Sequence, residues 1–292
     1  MAQAHETRAR LIASGVAEGD ITITVFKTSG DVIQDRPLSE VGGKGLFTKE
    51  LEDALLSNQI DAAVHSMKDM ATRLPDGLAI AAVLPREDVR DAFISLKHAC
   101  LADLPKGAIF GTSSLRRQAQ LLRLRPDLQI VQFRGNVQTR LAKLADGVAV
   151  ATILAAAGLR RLDRADRITE VIETDTLLPA AAQGAIGIEI RAGDSATAQA
   201  LAPLNHQETH IAVLAERAFL GTLDGSCRTP IAALAVFANG RLDFRGEVVS
   251  PDGTRHVSVA RNALPQEAAR MGADAGNEVL AKAGPDLLGA RA

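Results

Sequence analysis

Ile109-Phe110-Gly111-Thr112-Ser113-Ser114-Leu115-Arg116-Arg117-Gln118 reads as the end of a strand, a turn of small residues and the start of a helix. The same alternation extends outward in both directions. Upstream, Ile21-Thr22-Ile23-Thr24-Val25 alternates at period two and predicts a strand, and Ile60 to Val64 and Leu78 to Leu84 predict two more. Leu46, Phe47, Leu51, Ala54 and Leu55 share one face of a helix predicted to start near Lys44. Downstream, Leu128 to Phe133 and Val148 to Leu154 continue the series. Strands alternating with helices predict an α/β fold with parallel sheets and helices on both faces.

The last third has another grammar. Ile231 to Phe237 and Leu242 to Val249 read as strands joined by Asn239-Gly240, a strong hairpin signal. Pro251-Asp252-Gly253 turns into a third strand, His256 to Ala260, and a helix follows from about Pro265. A separate α+β domain with a three-stranded antiparallel sheet is therefore predicted over residues 205–292.

Composition narrows the function classes. The chain has 292 residues, 47% hydrophobic and 23% charged, enough apolar surface to exclude disorder as its main state. Its net charge is −2, and it has no Trp or Tyr and only 8 Phe. That argues against a nucleic-acid partner, which needs a basic surface or stacking rings. No apolar run reaches the ~18 residues of a membrane helix. Two cysteines, Cys100 and Cys227, make no disulfide framework, which predicts a reducing, cytoplasmic setting.

Against that background residues 111–140 stand out, with six arginines against one acid, Asp127: a local excess of five positive charges. Arg presents a planar, permanently charged fork suited to carboxylate or phosphate. The hydroxyl turn before Arg116 and Arg117 favours an anion site over a merely solvated helix face. Val41-Gly42-Gly43-Lys44-Gly45 could approach a ligand closely, although a flexible turn fits it equally well. His65-Ser66-Met67-Lys68-Asp69 lies at the carboxyl end of a predicted strand, where α/β sheets collect ligands, and a carboxylate there can exchange protons. A Lys–Asp surface pair reads as well from these residues alone. Cys227 sits in a Gly/Pro loop beside Arg228, which favours its thiolate, yet an isolated loop thiol is the default reading. His206 and His210 stand four apart without the Glu of a metalloprotease motif, so they read as a helix start and no metal site is predicted.

Several stretches, in order, resemble the hydroxymethylbilane synthase (porphobilinogen deaminase) family. They are Val41 to Phe47, Ala63 to Asp69, Gly111 to Gln118, Arg134-Gly135-Asn136 with Arg140, Ala157 to Arg161, Gln183-Gly184, Ala215-Glu216-Arg217, and Cys227 before Pro230. The resemblance spans nearly the whole chain. It implies three domains: 1–85 with 184–204, 86–183, and 205–292. The first two would be doubly wound lobes like those of a two-lobed solute-binding protein.

The resemblance also implies a reaction: four porphobilinogen molecules joined head to tail into a linear tetrapyrrole, with release of ammonia. Cys227 would hold a dipyrromethane cofactor through a thioether. Asp69 would be the catalytic carboxylate. Arg116, Arg117, Arg134, Arg140 and Arg161 would bind the carboxylates of substrate and cofactor, with Lys44, Lys68, Thr112 and Ser114 as further contacts. The enzyme would act as a cytoplasmic monomer with no nucleic-acid or membrane partner.

Some positions depart from the family pattern. Ser226 precedes Cys227 where many members have Gly, and Met70-Ala71 replaces a common Val-Pro. Gln3-Ala4-His5 already reads as the helix after the family's first strand, which carries an Arg and a Ser. The expectation is that Met1 is an internal Met of a longer protein and that this chain, lacking the strand, is poorly soluble or inactive. A two-lobed module that captures a small carboxylate without chemistry is the rival reading.

Overall fold

The computed structural model describes residues 1–28, 48–223, 230–284 and 287. In chain order, the first elements are α1 (Ala2–Ala13), α2 (Lys49–Leu56), β1 (Ala62–Ser66), β2 (Leu78–Val83) and β3 (Asp91–Ser95). Then come β4 (Ile109–Gly111), α3 (Leu115–Leu124), β5 (Gln129–Val131), α4 (Val137–Ala145), β6 (Ala151–Ala155), α5 (Ala156–Arg161) and β7 (Glu170–Ile172). The chain continues with β8 (Ile186–Arg191), α6 (Ser195–Leu201), α7 (Gln207–Thr222), β9 (Ile231–Ala238), β10 (Arg241–Val249), β11 (His256–Ala263) and α8 (Ala268–Ala283). Two compact units result: Met1–Glu87 with Gly184–Ile211, and Asp88–Gln183 with Ala212–Ala292.

In the first unit the sheet order is β1-β8-β2. Both ladders are antiparallel, with Val64 opposite Ile188 and Ala79 opposite Ile190. Thus β1 and β2 share a direction, as βα alternation requires, but β8 runs the other way between them. The parallel expectation fails here because β8 enters after the long excursion that begins at Asp88, and hydrophobic periodicity carries no information on direction. Ile186, Ile188 and Ile190 pack with Ala82, Leu84 and Leu201 into the core. Residues Ile21–Val25 form no strand. Ile21 and Ile23 are half-buried and Thr22 and Thr24 exposed, but Val25 is exposed as well, so the burial alternation stops at Thr24. A ladder also needs a partner edge, and among the described residues none pairs with it. The helix expected from Lys44 is described from Lys49.

The second unit contains two sheets. One has the order β5-β4-β6-β3-β7. β5, β4 and β6 are parallel, as expected, whereas β3 is antiparallel to β6 and β7. Phe93, Phe110, Leu121 and Ile153 fill its core, and fully burying one such side chain stabilises by roughly 1.5–3 kcal/mol. The other sheet, order β11-β10-β9, is antiparallel throughout. Its first hairpin turns at Asn239 and Gly240 with φ of 52° and 73°, the left-handed pair that a two-residue turn demands. Phe219 of α7 meets Phe244 of β10 edge-on at 5.3 Å between ring centres. The architecture is therefore α/β, with a C-terminal antiparallel sheet.

Candidate functional site

β4 ends at Gly111, where a side chain would collide with the Phe133 ring, so only glycine fits. The hydroxyls after it serve the turn itself. The Thr112 amide donates to Val131 O at 3.0 Å, and Thr112 Oγ1 accepts from the Ser114 amide at 3.2 Å. Ser113 Oγ accepts from the Phe133 amide at 2.8 Å. Ser114 is the N-cap of α3, and its side chain accepts from the Arg117 amide. Thr112 is buried and Ser114 half-buried. The cap fixes the first turn of α3, and with it Arg116 and Arg117.

Both of these arginines point inward, at 5% and 6% exposure, onto a carboxylate that is fully buried. Arg116 Nη2 donates to Asp91 Oδ2 at 2.7 Å, and Arg117 Nη2 to Asp91 Oδ1 at 2.7 Å. Gln183 Nε2 donates to the same Oδ1 at 3.0 Å. Arg117 Nε also donates to Asp91 Oδ1, at 3.2 Å, and one nitrogen of each arginine finds a main-chain acceptor: Arg116 Nη1 at Leu178 O, 2.7 Å, and Arg117 Nη1 at Ile153 O, 3.1 Å. Burial alone would raise the Asp91 carboxyl, but the two guanidiniums outweigh it and hold the group well below the usual carboxylate range. Burial also pushes Arg116 below its ordinary value, while the Asp91 charge opposes this. Two cations and one anion leave this buried trio with a net positive charge.

That excess faces further cations. Asn136 caps α4 by accepting from the Thr139 amide at 2.9 Å. Gly135, at φ +115°, makes the turn before it, and its carbonyl accepts from Arg140 Nε at 2.8 Å. Burial, reinforced by the charges of Arg117 and Arg134, pushes the Arg140 guanidinium down to about 10. No acid offsets this among the causes acting on Arg140. Arg134 Nη1 is buried without a hydrogen-bond partner among the described residues. Lys143 donates to Arg134 O at 3.0 Å and lies 5.8 Å from the Phe133 ring centre. Like charges gathered around an orphaned buried donor have the chemistry to hold an anion.

The other expected residues belong to other elements. Lys68 and Asp69 belong to a single 3-10 turn, Met67–Asp69, that directly follows β1. Lys68 is half-buried and Asp69 exposed. Arg161 is half-buried at the end of α5, next to Arg160, which pairs with Asp88 at 3.0 Å. Arg161 is not among the charges that act on Arg140. Lys44 and Cys227 lie outside the described residues. His206 Nδ1 accepts from the Thr209 amide at 3.3 Å at the start of α7, which matches the helix-start reading. Among the described residues there is no group of three or more potential metal ligands. No helix among them is long and apolar enough to cross a membrane.

Sequence reading missed Asp91 and the acceptor role of Leu178 O. A signal existed for Asp91: an acid opening the apolar run Ala92-Phe93-Ile94. Such an acid is buried only if cations meet it.

Comparison with known proteins agrees along the chain. The family model for the porphobilinogen deaminase dipyromethane cofactor binding domain matches residues 1–199, and that for the porphobilinogen deaminase C-terminal domain matches 210–281. Porphobilinogen deaminase of Paracoccus denitrificans (strain Pd 1222) is 55% identical over 289 residues, covering 99% of this chain and 92% of that protein. The chloroplastic porphobilinogen deaminase of Pisum sativum is 54% identical, covering 99% of this chain and 80% of that protein. Among solved structures, a nutrient binding protein from Burkholderia cenocepacia bound to methionine is similar over 68% of this chain and 84% of its own, with 15% identity and a TM-score of 0.41. Matched over residues 1–199 and 210–281 by the two family models, and over 99% of its length by relatives more than half identical to it, the chain belongs to the porphobilinogen deaminase family.

Proposed function

We propose that this chain is the enzyme that condenses four porphobilinogen molecules into the linear tetrapyrrole hydroxymethylbilane, releasing four molecules of ammonia. The observation that carries the reading is the pair Arg134 and Arg140, pressed further by the charge of Arg117, with its orphaned Arg134 Nη1. Each porphobilinogen brings an acetate and a propionate, so a growing chain gathers carboxylates. Arginine forks bind these in pairs of charge-assisted hydrogen bonds. The same donor set fits a dipyrromethane, whose rings carry the same acid side chains. When bound through a thioether to Cys227, that group supplies the carbon nucleophile for the first condensation.

The protein's own residues do the rest. Asp69 donates a proton at the amine nitrogen as it departs as ammonia, and its carboxylate then stabilises the cation left on the substrate pyrrole. It also accepts the ring proton lost when aromaticity is restored. Arg116 and Arg117 hold carboxylates from the first step, and Arg134, Arg140 and Arg161 hold those added later. Lys44, Lys68, Thr112 and Ser114 complete the contacts. In the proposed division into three domains, 1–85 with 184–204, 86–183 and 205–292, the second carries the arginines and the third the attachment cysteine. A cytoplasmic monomer with porphobilinogen as its small-molecule partner completes the proposal.

Incubation with porphobilinogen tests it against the binding-module reading. The enzyme releases one ammonia per porphobilinogen consumed, and its intact mass exceeds that of the chain by a dipyrromethane. Cys227→Ser abolishes both, and Cys100→Ser neither. Asp69→Asn lowers turnover by roughly 10²–10⁴, the worth of a positioned acid/base. Binding of porphobilinogen without ammonia release overturns the enzymatic reading.

A further inference from the structure

The turn that bears Asp69 is held by a buried ionisable pair that the proposed chemistry leaves idle. His65 of β1 and Glu189 of β8 have side-chain exposures of 4% and 0%. His65 Nε2 lies 2.9 Å from Glu189 Oε2, within hydrogen-bond distance. Glu189 Oε1 is buried and has no hydrogen-bond partner among the described residues. On α2, Glu52 is buried too. Burial, with the Glu189 charge adding to it and the His65 charge opposing, raises its carboxyl above the ordinary value. Three ionisable groups from three elements thus meet inside the first unit.

An apolar filling would be the cheaper solution. A buried pair is often matched or bettered by hydrophobic residues of similar size, and an orphaned buried oxygen costs about 1–3 kcal/mol more. The neighbouring positions Ala63, Ile188 and Ile190 are filled that way. What distinguishes His65 is its place. Ser66 follows it, then the Met67–Asp69 turn. β8 and the residue before it grip that turn as well. The Met67 amide donates to Ala185 O at 3.1 Å, and the Met67 thioether occupies the space that a side chain at Gly187 would need. From the other side, Gln3 Nε2 donates to Ser66 Oγ at 2.7 Å.

We propose that His65 and Glu189 are positioning residues for Asp69. Their hydrogen bond pins the end of β1 to β8 and so sets the direction from which the Asp69 carboxylate exchanges its proton. The proposal rests on the reading of Asp69 given above.

The test is a double-mutant cycle in the holoenzyme, with melting followed in parallel. Glu189→Gln keeps the size of the side chain and removes its charge; His65→Gln removes the ring. Each is expected to lower kcat by about tenfold or more, the scale of coupling between interacting groups, while KM for porphobilinogen stays within about twofold. In an Asp69→Asn background, Glu189→Gln is expected to lower kcat no further, because its effect passes through the missing carboxylate. An equal factor in both backgrounds, or unchanged kcat in both single variants, overturns the proposal. Failure of both variants to fold makes the pair purely structural and overturns it too. Wild-type kcat in Asp69→Asn alone is a different failure, that of the Asp69 reading, and it shows before the pair is touched.

Discussion

At the start of α3, Arg116 and Arg117 close on Asp91, and main-chain carbonyls take further donors. Around the start of α4, Arg134 and Arg140 form no ion pair with an acid among the described residues, and one Arg134 nitrogen is left without a partner among them. The residue type is the same and the two groups are close enough for Arg117 to act on Arg140. The difference is the counter-charge. An arginine paired with a buried acid is fixed in the fold whatever else it contacts, and on the proposed function an arginine left repelling its neighbours gains most from an anion. Arg117 belongs to both groups and links them.

The contrast breaks most sharply at Asp91. Asp91→Asn leaves two buried guanidiniums without their anion, and removing one partner of a buried ion pair costs about 3–5 kcal/mol. Chemical denaturation should show a loss of that order; a loss under ~1 kcal/mol would mean that the trio is loosely held. A pH series reads the same group. Its folded carboxyl lies well below the ordinary 3.8, so its stabilisation is complete above that value and disappears as pH falls beneath it. Wild-type stability should fall on acidification below pH ~4, and the Asp91→Asn variant should lose that part of the slope.

On the other side of the comparison, Arg134→Leu should leave melting unchanged or higher, because it relieves repulsion. It should raise KM for porphobilinogen by roughly 10- to 150-fold, the ~1.5–3 kcal/mol of a hydrogen bond to a charged group. Ser114→Ala gives the smallest effect. Loss of the α3 cap costs about 1 kcal/mol of stability. A simultaneous rise in KM would add the substrate contact that the family resemblance implies, whereas an unchanged KM would leave Ser114 a cap alone.

What could be read from the sequence was local. The strand, turn and helix around Gly111, the hairpin at Asn239-Gly240 and the excess of arginine over acid all come from neighbours in the chain, and the structure has each of them. What could not be read depends on distant segments. Asp91 meets Arg116 across 25 residues and Glu189 meets His65 across 124. The direction of β8 is set by where the chain enters the first unit. Ile21–Val25 has a strand's alternation without a strand's partner, since periodicity describes faces and leaves edges unspecified. The charge excess marks a segment but cannot tell which arginines are already neutralised, because that is decided by an acid outside it.

Arg116→Leu and Arg140→Leu, each measured for melting temperature and for KM on the same preparation of holoenzyme, test the central claim most directly. The account predicts opposite behaviour. Arg116→Leu uncovers buried Asp91 and should lose about 3–5 kcal/mol of stability. Arg140→Leu should stay within ~1 kcal/mol of the parent or above it, yet bind porphobilinogen at least about tenfold more weakly. Equal losses of stability in the two variants, with KM unchanged in Arg140→Leu, would contradict the claim that the uncompensated arginines are the anion receptor.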